Sequence, residues 1–178
     1  FCRIMLSVRF FAHIICYNYY KETERMSNMA NVIFRYSVTP SYGCCGDSDG
    51  GFALTLTDGG DVEYIEYKFC RITESCRHFD LSPNAAAEIG SIISENTARL
   101  DDIPHKLENG SFDGDIFDIS FGSHKYRGLN ISMTDLARLK KRRPSYYEAN
   151  KTSIENVNFI AELTGRILGI IINEIPEL

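Results

Sequence analysis

The stretch GFALTLTDGGDVEYIEYKF, residues 51–69, contains two apolar runs joined by a turn signal. In the first run every second residue from Phe52 to Leu56 is large and apolar, as in a strand that buries one face. The Asp-Gly-Gly at 58–60 favours a tight turn, because glycine tolerates the positive φ that hairpins need. The second run is rich in tyrosine, which favours a returning strand, although its alternation slips near Ile65. The stretch therefore predicts an antiparallel β-hairpin.

Similar patterns lie on both sides of this hairpin. NVIFRYSV at residues 31–38 alternates as a further strand, and RHFDL at 77–81 is long enough for a short one. GDIFDISFGSHKYRGLNIS at 114–132 predicts a second hairpin that turns around Gly122-Ser123. The sequence predicts a sheet of five or six strands with two hairpins.

Helix signals occur in blocks apart from the strands. Ser82 is a good N-cap before a proline, and the helix that follows is expected to end by Pro104. A second helix is predicted from Ser132 to just before Pro144. A third begins at Thr152 with a capping box and continues as a long, apolar C-terminal helix. The predicted fold class is α+β, a mainly antiparallel sheet packed by about three helices.

The length and composition indicate one domain. The 178 residues are 44% hydrophobic and 24% charged, as in ordinary globular proteins. Residues 1–20 form an apolar and aromatic run that Arg3 and Arg9 interrupt, which fits neither a membrane span nor a signal peptide. We expect residues 1–28 to be a non-native or disordered leader and residues 29–178 to form the domain.

Charge and cysteine content limit the partners and the compartment. A net charge of −5 argues against nucleic acid as the main partner, since phosphate binding depends on Lys and Arg. No membrane contact is predicted. The six cysteines lack the spacing of a disulfide scaffold, so we expect free thiols and a cytoplasmic location.

The segment GCCGDSDGG, residues 43–51, is the first candidate for chemistry. Asp47 and Asp49 alternate ahead of a glycine as in a calcium loop, but further ligands do not follow. Cys44 and Cys45 are adjacent, whereas structural zinc sites typically use pairs of cysteines with two residues between them. The preferred interpretation is a glycine-rich connection between strands, with no cofactor and no metal.

Two alternatives involving these cysteines stay open. A zinc site would need ligands from the set Cys44, Cys45, Cys70, Cys76 and His78. A thiol enzyme would pair Cys44 or Cys45 with His78 or His124. The chain contains no P-loop, dinucleotide fingerprint, zinc-protease motif or serine-hydrolase elbow, so the prediction leans against an enzyme without deciding the question.

A basic cluster near the end of the second predicted helix is the other candidate site. Its residues are Arg138, Lys140, Lys141, Arg142, Arg143, Tyr146 and Tyr147. Cations at a helix C-terminus complement the helix dipole, which explains the cluster without a ligand. Basic residues beside aromatic ones also suit a phosphate, nucleic acid or acidic protein surface, so a binder through residues 138–147 is a further alternative.

The leading functional prediction is a bacterial-type cytoplasmic domain that acts through protein contacts, as a binding, inhibitory or immunity-type module. It depends on the missing catalytic motifs and on acidic residues near turns, which would form a patch opposite the basic cluster if they shared one end of the sheet. The second predicted partner is another copy of the same chain, which would form a homodimer through the apolar last helix. The protein partner itself is not predicted.

Overall fold

The computed structural model describes residues 31–40, 49–68, 72–108 and 114–178. The chain divides into the units Phe1–Asn31 and Val32–Leu178, and the elements described below belong to the second unit. The predicted leader at residues 1–28 lies outside the described residues.

Strands and helices alternate in blocks along the described residues. The strands are β1 (Val32–Thr39), β2 (Asp49–Thr57), β3 (Asp61–Lys68), β4 (Ile72–Asp80), β5 (Lys106–Leu107), β6 (Ile116–Phe121) and β7 (His124–Leu129). The helices are α1 (Pro83–Glu95), α2 (Thr97–Asp101), α3 (Leu136–Arg142) and α4 (Pro144–Glu174).

All of these strands belong to one sheet, in the order β4-β3-β2-β1-β6-β7-β5. Every neighbouring pair is antiparallel except β5 with β7, which is parallel. The predicted α+β class with a mainly antiparallel sheet is confirmed. The described part of the chain has four helices, where about three were predicted, and its sheet of seven strands is larger than the predicted five or six.

The extra elements are short and carry little periodicity. Strand β5 has two residues, too few for alternation to be visible in sequence. The helix predicted to continue towards Pro104 breaks at Asn96, whose side-chain amide donates to the Ile92 carbonyl at 2.7 Å. That break separates α1 from α2.

Both predicted hairpins and the first helix start are present. The β2–β3 turn uses Gly60 at φ +95°, and the β6–β7 turn uses Gly122 at φ +57°, conformations that glycine adopts at little cost. Ser82 caps α1, since its hydroxyl oxygen accepts from the Ala85 N–H at 3.3 Å.

The C-terminal helix is longer than predicted and one-sided. It continues from Pro144 through a kink at Asn150, close to the predicted start at Thr152. Ile160 and Ile167 are buried, whereas other positions, such as Arg166, are exposed, so the structure does not show the helix to be apolar throughout. Among the described residues, no helix combines the length and apolarity that crossing a membrane requires.

The core lies between one face of the sheet and the helices. It combines strand residues such as Phe34 and Phe121 with residues of α1, α2 and α4, such as Ile89, Leu100 and Ile167. We call this sheet surface the core face. Because strand side chains alternate, the intervening residues point to the opposite surface, which we call the second face.

Candidate functional site

Two rows of polar side chains cross β1, β6 and β7 on the second face. Directly paired residues of antiparallel strands lie side by side on the same surface. The observed register gives one row of Arg35, Ser120 and Lys125 and another of Ser37, Asp118 and Arg127. The pairing of three strands therefore assembles groups that lie about 80 residues apart in the chain.

A cleft of about 540 Å³ lies at these rows and is lined by residues of both. His105, which lies just before β5, contributes to its wall. The Nδ1 atom of His105 is 2.7 Å from the Lys125 carbonyl oxygen, and the Arg127 N–H donates to the His105 carbonyl at 2.8 Å. The backbone of β7 thus holds the segment before β5 against the cleft.

The cleft has an excess of positive charge. The Arg127 Nη1 atom lies 3.6 Å from the Asp118 Oδ1 atom, and the two side chains form a partly exposed ion pair. Among the described residues, no carboxylate lies within ion-pair distance of Arg35 or Lys125, both of which are exposed. A local basic surface therefore exists in a chain whose net charge is −5.

A different group of side chains lies on β3 and β4. Glu63 and His78 are paired across the two strands, and Cys76 lies two residues before His78 on the same face. The Cys76 Sγ atom is 3.5 Å from the His78 Nε2 atom, and one ligand atom from each of the three residues falls within 4.8 Å of the others. A carboxylate, a thiol and an imidazole thus converge.

The environment of Cys76 disfavours a nucleophilic thiol. Burial, followed by repulsion from the Glu63 carboxylate, raises the pKa of the Cys76 thiol above its usual value. The raised pKa disfavours the thiolate, which is the nucleophilic form of the side chain. The thiol-enzyme alternative was predicted for Cys44 and Cys45, so Cys76 does not test it.

The predicted cysteine loop lies mostly outside the described residues. The candidate residues outside the described part are Cys44, Cys45 and Asp47 of this loop, together with Cys70 further along the chain. Asp49 is the first residue of β2. The metal and thiol hypotheses at Cys44 and Cys45 stay predictions.

The two histidines named as partners for these thiols lie in different parts of the sheet. His78 is on β4, and His124 is on β7, at the other side of the strand order. The His124 ring lies between two oxygens, with Nε2 2.8 Å from Asp101 Oδ1 and Nδ1 3.1 Å from the Phe121 carbonyl. His124 therefore links α2 to the β6–β7 hairpin.

The basic cluster lies at the junction of α3 and α4. Its exposed members are Arg138, Lys140, Lys141, Arg142, Arg143 and Tyr146. Tyr147 is only 2% exposed, and its hydroxyl donates to Glu155 Oε1 at 2.9 Å. The Lys140 ammonium lies 4.7 Å from the centre of the Tyr147 ring, so that ring is already occupied by a cation of the cluster.

The described acidic residues do not gather at one end of the sheet. Asp58 and Asp61 flank the β2–β3 turn, beside the start of β1. Asp115 precedes β6 at the opposite end, where Thr39 pairs with Ile116. The expected acidic patch is not formed by these residues, because the antiparallel register places the β2–β3 turn and the start of β6 at opposite ends of the sheet.

Sequence reasoning missed Arg35, Lys125 and Arg127 as a group, and it did not connect Glu63 with Cys76 and His78. Strand register is the signal that joins them, and it follows from pairings distant in the chain. No protein-family model and no curated protein sequence matches this chain. The functional proposals below therefore rest on geometry and charge.

Proposed function

We propose that this domain is a protein-binding module whose cleft at β1, β6 and β7 takes an acidic segment of a partner protein. The observation that carries the proposal is the pair of exposed cations, Arg35 and Lys125, which flank Ser120 in one row of the sheet. Partner carboxylates would supply the ion pairs that these two cations lack within the described structure.

The mixture of charges favours a protein partner over a polyphosphate. Asp118 lies in the neighbouring row and would repel a dense array of phosphates, while it accepts readily from a lysine or a backbone N–H. Arg35 presents a planar guanidinium that binds a carboxylate through two parallel hydrogen bonds. A surface with both signs of charge is typical of recognition between proteins.

Electrostatic complementarity of this kind raises association rates and excludes wrong partners. Binding, inhibitory and immunity-type modules depend on both properties. The net charge of −5 repels a polyanion such as nucleic acid more strongly than it repels a short protein segment that carries few carboxylates.

The test is a selection of displayed random peptides on the full chain, with counter-selection on the double variant Arg35→Glu/Lys125→Glu. We expect the enriched peptides to be rich in Asp and Glu and to lose about tenfold or more in affinity for the double variant. A matched control is Lys140→Glu/Lys141→Glu, which makes the same charge change on α3 and is expected to bind like the wild type.

Each other result contradicts the proposal. Peptides without acidic residues, or affinities that Arg35→Glu/Lys125→Glu leaves unchanged, would exclude the cleft. Affinity that is lost only in Lys140→Glu/Lys141→Glu would move the site to the basic cluster at residues 138–147. Tighter binding of a DNA oligonucleotide or of inorganic phosphate than of any peptide would favour that alternative function.

The homodimer contact through the C-terminal helix stays a separate prediction. Ile172 on α4 is 51% exposed and is the large apolar side chain to change first. If the contact forms, sedimentation of the wild type shows a dimer that Ile172→Glu dissociates. A wild type that sediments as a monomer excludes it. The cytoplasmic location also stays a prediction.

A further inference from the structure

We propose that Glu63, Cys76 and His78 form a binding site for a Zn²⁺-class divalent ion on the second face of the β3–β4 pair. The register places the carboxylate of Glu63 directly opposite the imidazole of His78. Strand alternation puts Cys76 on the same face, two residues before His78. Three different ligating groups are thus delivered by two hydrogen-bonded strands, without help from a loop.

The spacing fits tetrahedral coordination. Zinc binds thiolate sulfur at about 2.3 Å and imidazole nitrogen at about 2.0–2.1 Å, so two such ligands of a tetrahedral ion lie about 3.5 Å apart. The Cys76 Sγ and His78 Nε2 atoms are 3.5 Å apart. A carboxylate oxygen of Glu63 lies within 4.8 Å of both of these atoms, and rotation about the side-chain bonds of Glu63 would bring it closer to a bound ion.

The ligand set also selects the kind of ion. Thiolate and imidazole are ligands of Zn²⁺ and related transition metals, whereas Mg²⁺ and Ca²⁺ prefer oxygen. Among the described residues, no cation or hydrogen-bond donor contacts the Glu63 carboxylate, which instead faces the thiol and the ring. A divalent ion supplies the positive charge that this carboxylate and a thiolate require.

The site is accessible and has a free coordination position. Strand β4 is at one end of the strand order, His78 is exposed, and Glu63 and Cys76 are half-buried. Three protein ligands leave the fourth position of a tetrahedral ion open to water or to a side chain of a bound protein. An open position distinguishes this site from a closed, purely structural zinc site.

The metal site and the cleft are built from different strands. Strand β2 lies between β3 of the metal site and β1 of the cleft, so Glu63 and Arg35 are two strand spacings of about 4.8 Å apart. The two sites therefore share a face of the sheet but no residue. If one of the two proposals fails, the other can still be tested, because metal binding and peptide binding are measured with different probes.

The test uses untagged full-length protein and ZnCl₂ alone, titrated by calorimetry after chelator treatment, with CoCl₂ as a spectroscopic probe. We expect one ion per chain and, with cobalt, a thiolate-to-metal charge-transfer absorption. Cys76→Ser and His78→Ala are each expected to weaken zinc binding by about tenfold or more, and Cys76→Ser is also expected to remove the absorption, because it removes the thiolate. Glu63→Gln is expected to weaken binding and to keep the absorption.

Two control variants make the result specific to this site. Glu74→Gln changes another carboxylate of β4, one that pairs with Lys68, and is expected to bind zinc like the wild type. The double variant Cys44→Ser/Cys45→Ser removes the other candidate thiols and is also expected to retain binding. Circular dichroism confirms that each variant is folded before the titration.

The opposite pattern overturns the proposal. It fails if the wild type binds no zinc, or if Cys76→Ser and His78→Ala bind it as tightly as the wild type. It also fails if only Cys44→Ser/Cys45→Ser abolishes binding, because the ion would then be held by the cysteine loop.

Discussion

The centre and the β4 side of the sheet are stabilised by different interactions. In the centre, Phe34 and Phe121 are fully buried, with ring centres 5.7 Å apart. Near β4 the core face is only half-buried, and Arg77 covers it. The Arg77 guanidinium lies 4.9 Å from the centre of the Tyr64 ring and 3.3 Å from a Glu66 oxygen.

This difference separates stability from site chemistry. Burial of aromatic side chains dominates the free energy of folding in the centre, whereas exposed polar contacts near β4 contribute little. The charged residues of both candidate sites lie on the second face, although the buried Ile119 and Tyr126 also line the cleft. We therefore expect that the site residues on the second face can be replaced with small effects on unfolding, which is what the experiments above require.

The largest expected effect comes from the centre. Phe34→Ala removes a fully buried ring and leaves a cavity, and we expect it to lower the free energy of unfolding by about 3–5 kcal/mol. The matched substitution Phe79→Ala, at a half-buried ring on β4, is expected to cost about 1–2 kcal/mol. Urea denaturation measures both, and equal losses would contradict the difference between centre and edge.

A smaller effect is expected from the polar layer near β4. Arg77→Ala removes the ion pair with Glu66, the hydrogen bond to the Glu177 carbonyl at 3.1 Å and the contact with Tyr64. We expect a loss of about 1–2 kcal/mol, which shrinks in high salt because these groups are partly exposed. A loss that salt does not change would show that apolar packing dominates at this edge as well.

The smallest expected effect concerns one buried hydrogen bond. The Tyr126 hydroxyl donates to the Leu100 carbonyl at 2.7 Å and joins β7 to α2. Tyr126→Phe keeps the ring and removes this bond, so we expect a loss of about 1 kcal/mol in the same denaturation assay. An unchanged stability would show that water replaces the hydroxyl at that carbonyl.

The same residue predicts a dependence on alkaline pH. Burial, followed by the charge of Asp101, raises the pKa of Tyr126 to about 12 from the usual tyrosine value of 10.0. The stabilisation is complete below pH 10, where both states are protonated, and is lost as the pH rises towards 12, because the unfolded chain ionises first. Stability measured across this range is expected to fall less in Tyr126→Phe than in the wild type.

Local sequence patterns predicted the elements that have strong local signals. The Asp-Gly-Gly turn at 58–60 and the Ser82 cap define their elements through nearby residues alone, and both are confirmed. The slip in alternation near Ile65 corresponds to a register shift between Glu66 and Tyr67. Strand β5 was missed because two residues show no period, and its parallel pairing with β7 depends on tertiary contact.

The candidate sites could be predicted only in part. Cys76 and His78 were named as zinc candidates because their residue types suggest it, and strand alternation places them on one face. Glu63 joins them through the β3–β4 register, and the row of Arg35 and Lys125 requires the pairing of β1 with β6. These pairings connect distant segments, so no local pattern contains them.

The affinity of one selected acidic peptide for wild type and for Arg35→Glu/Lys125→Glu tests the central claim most directly. Fluorescence anisotropy gives both dissociation constants, and thermal unfolding gives both melting temperatures. We predict that the double variant binds about tenfold more weakly or worse while it melts at nearly the wild-type temperature. Equal affinities at equal stability would contradict the assignment of the cleft as a protein-binding site.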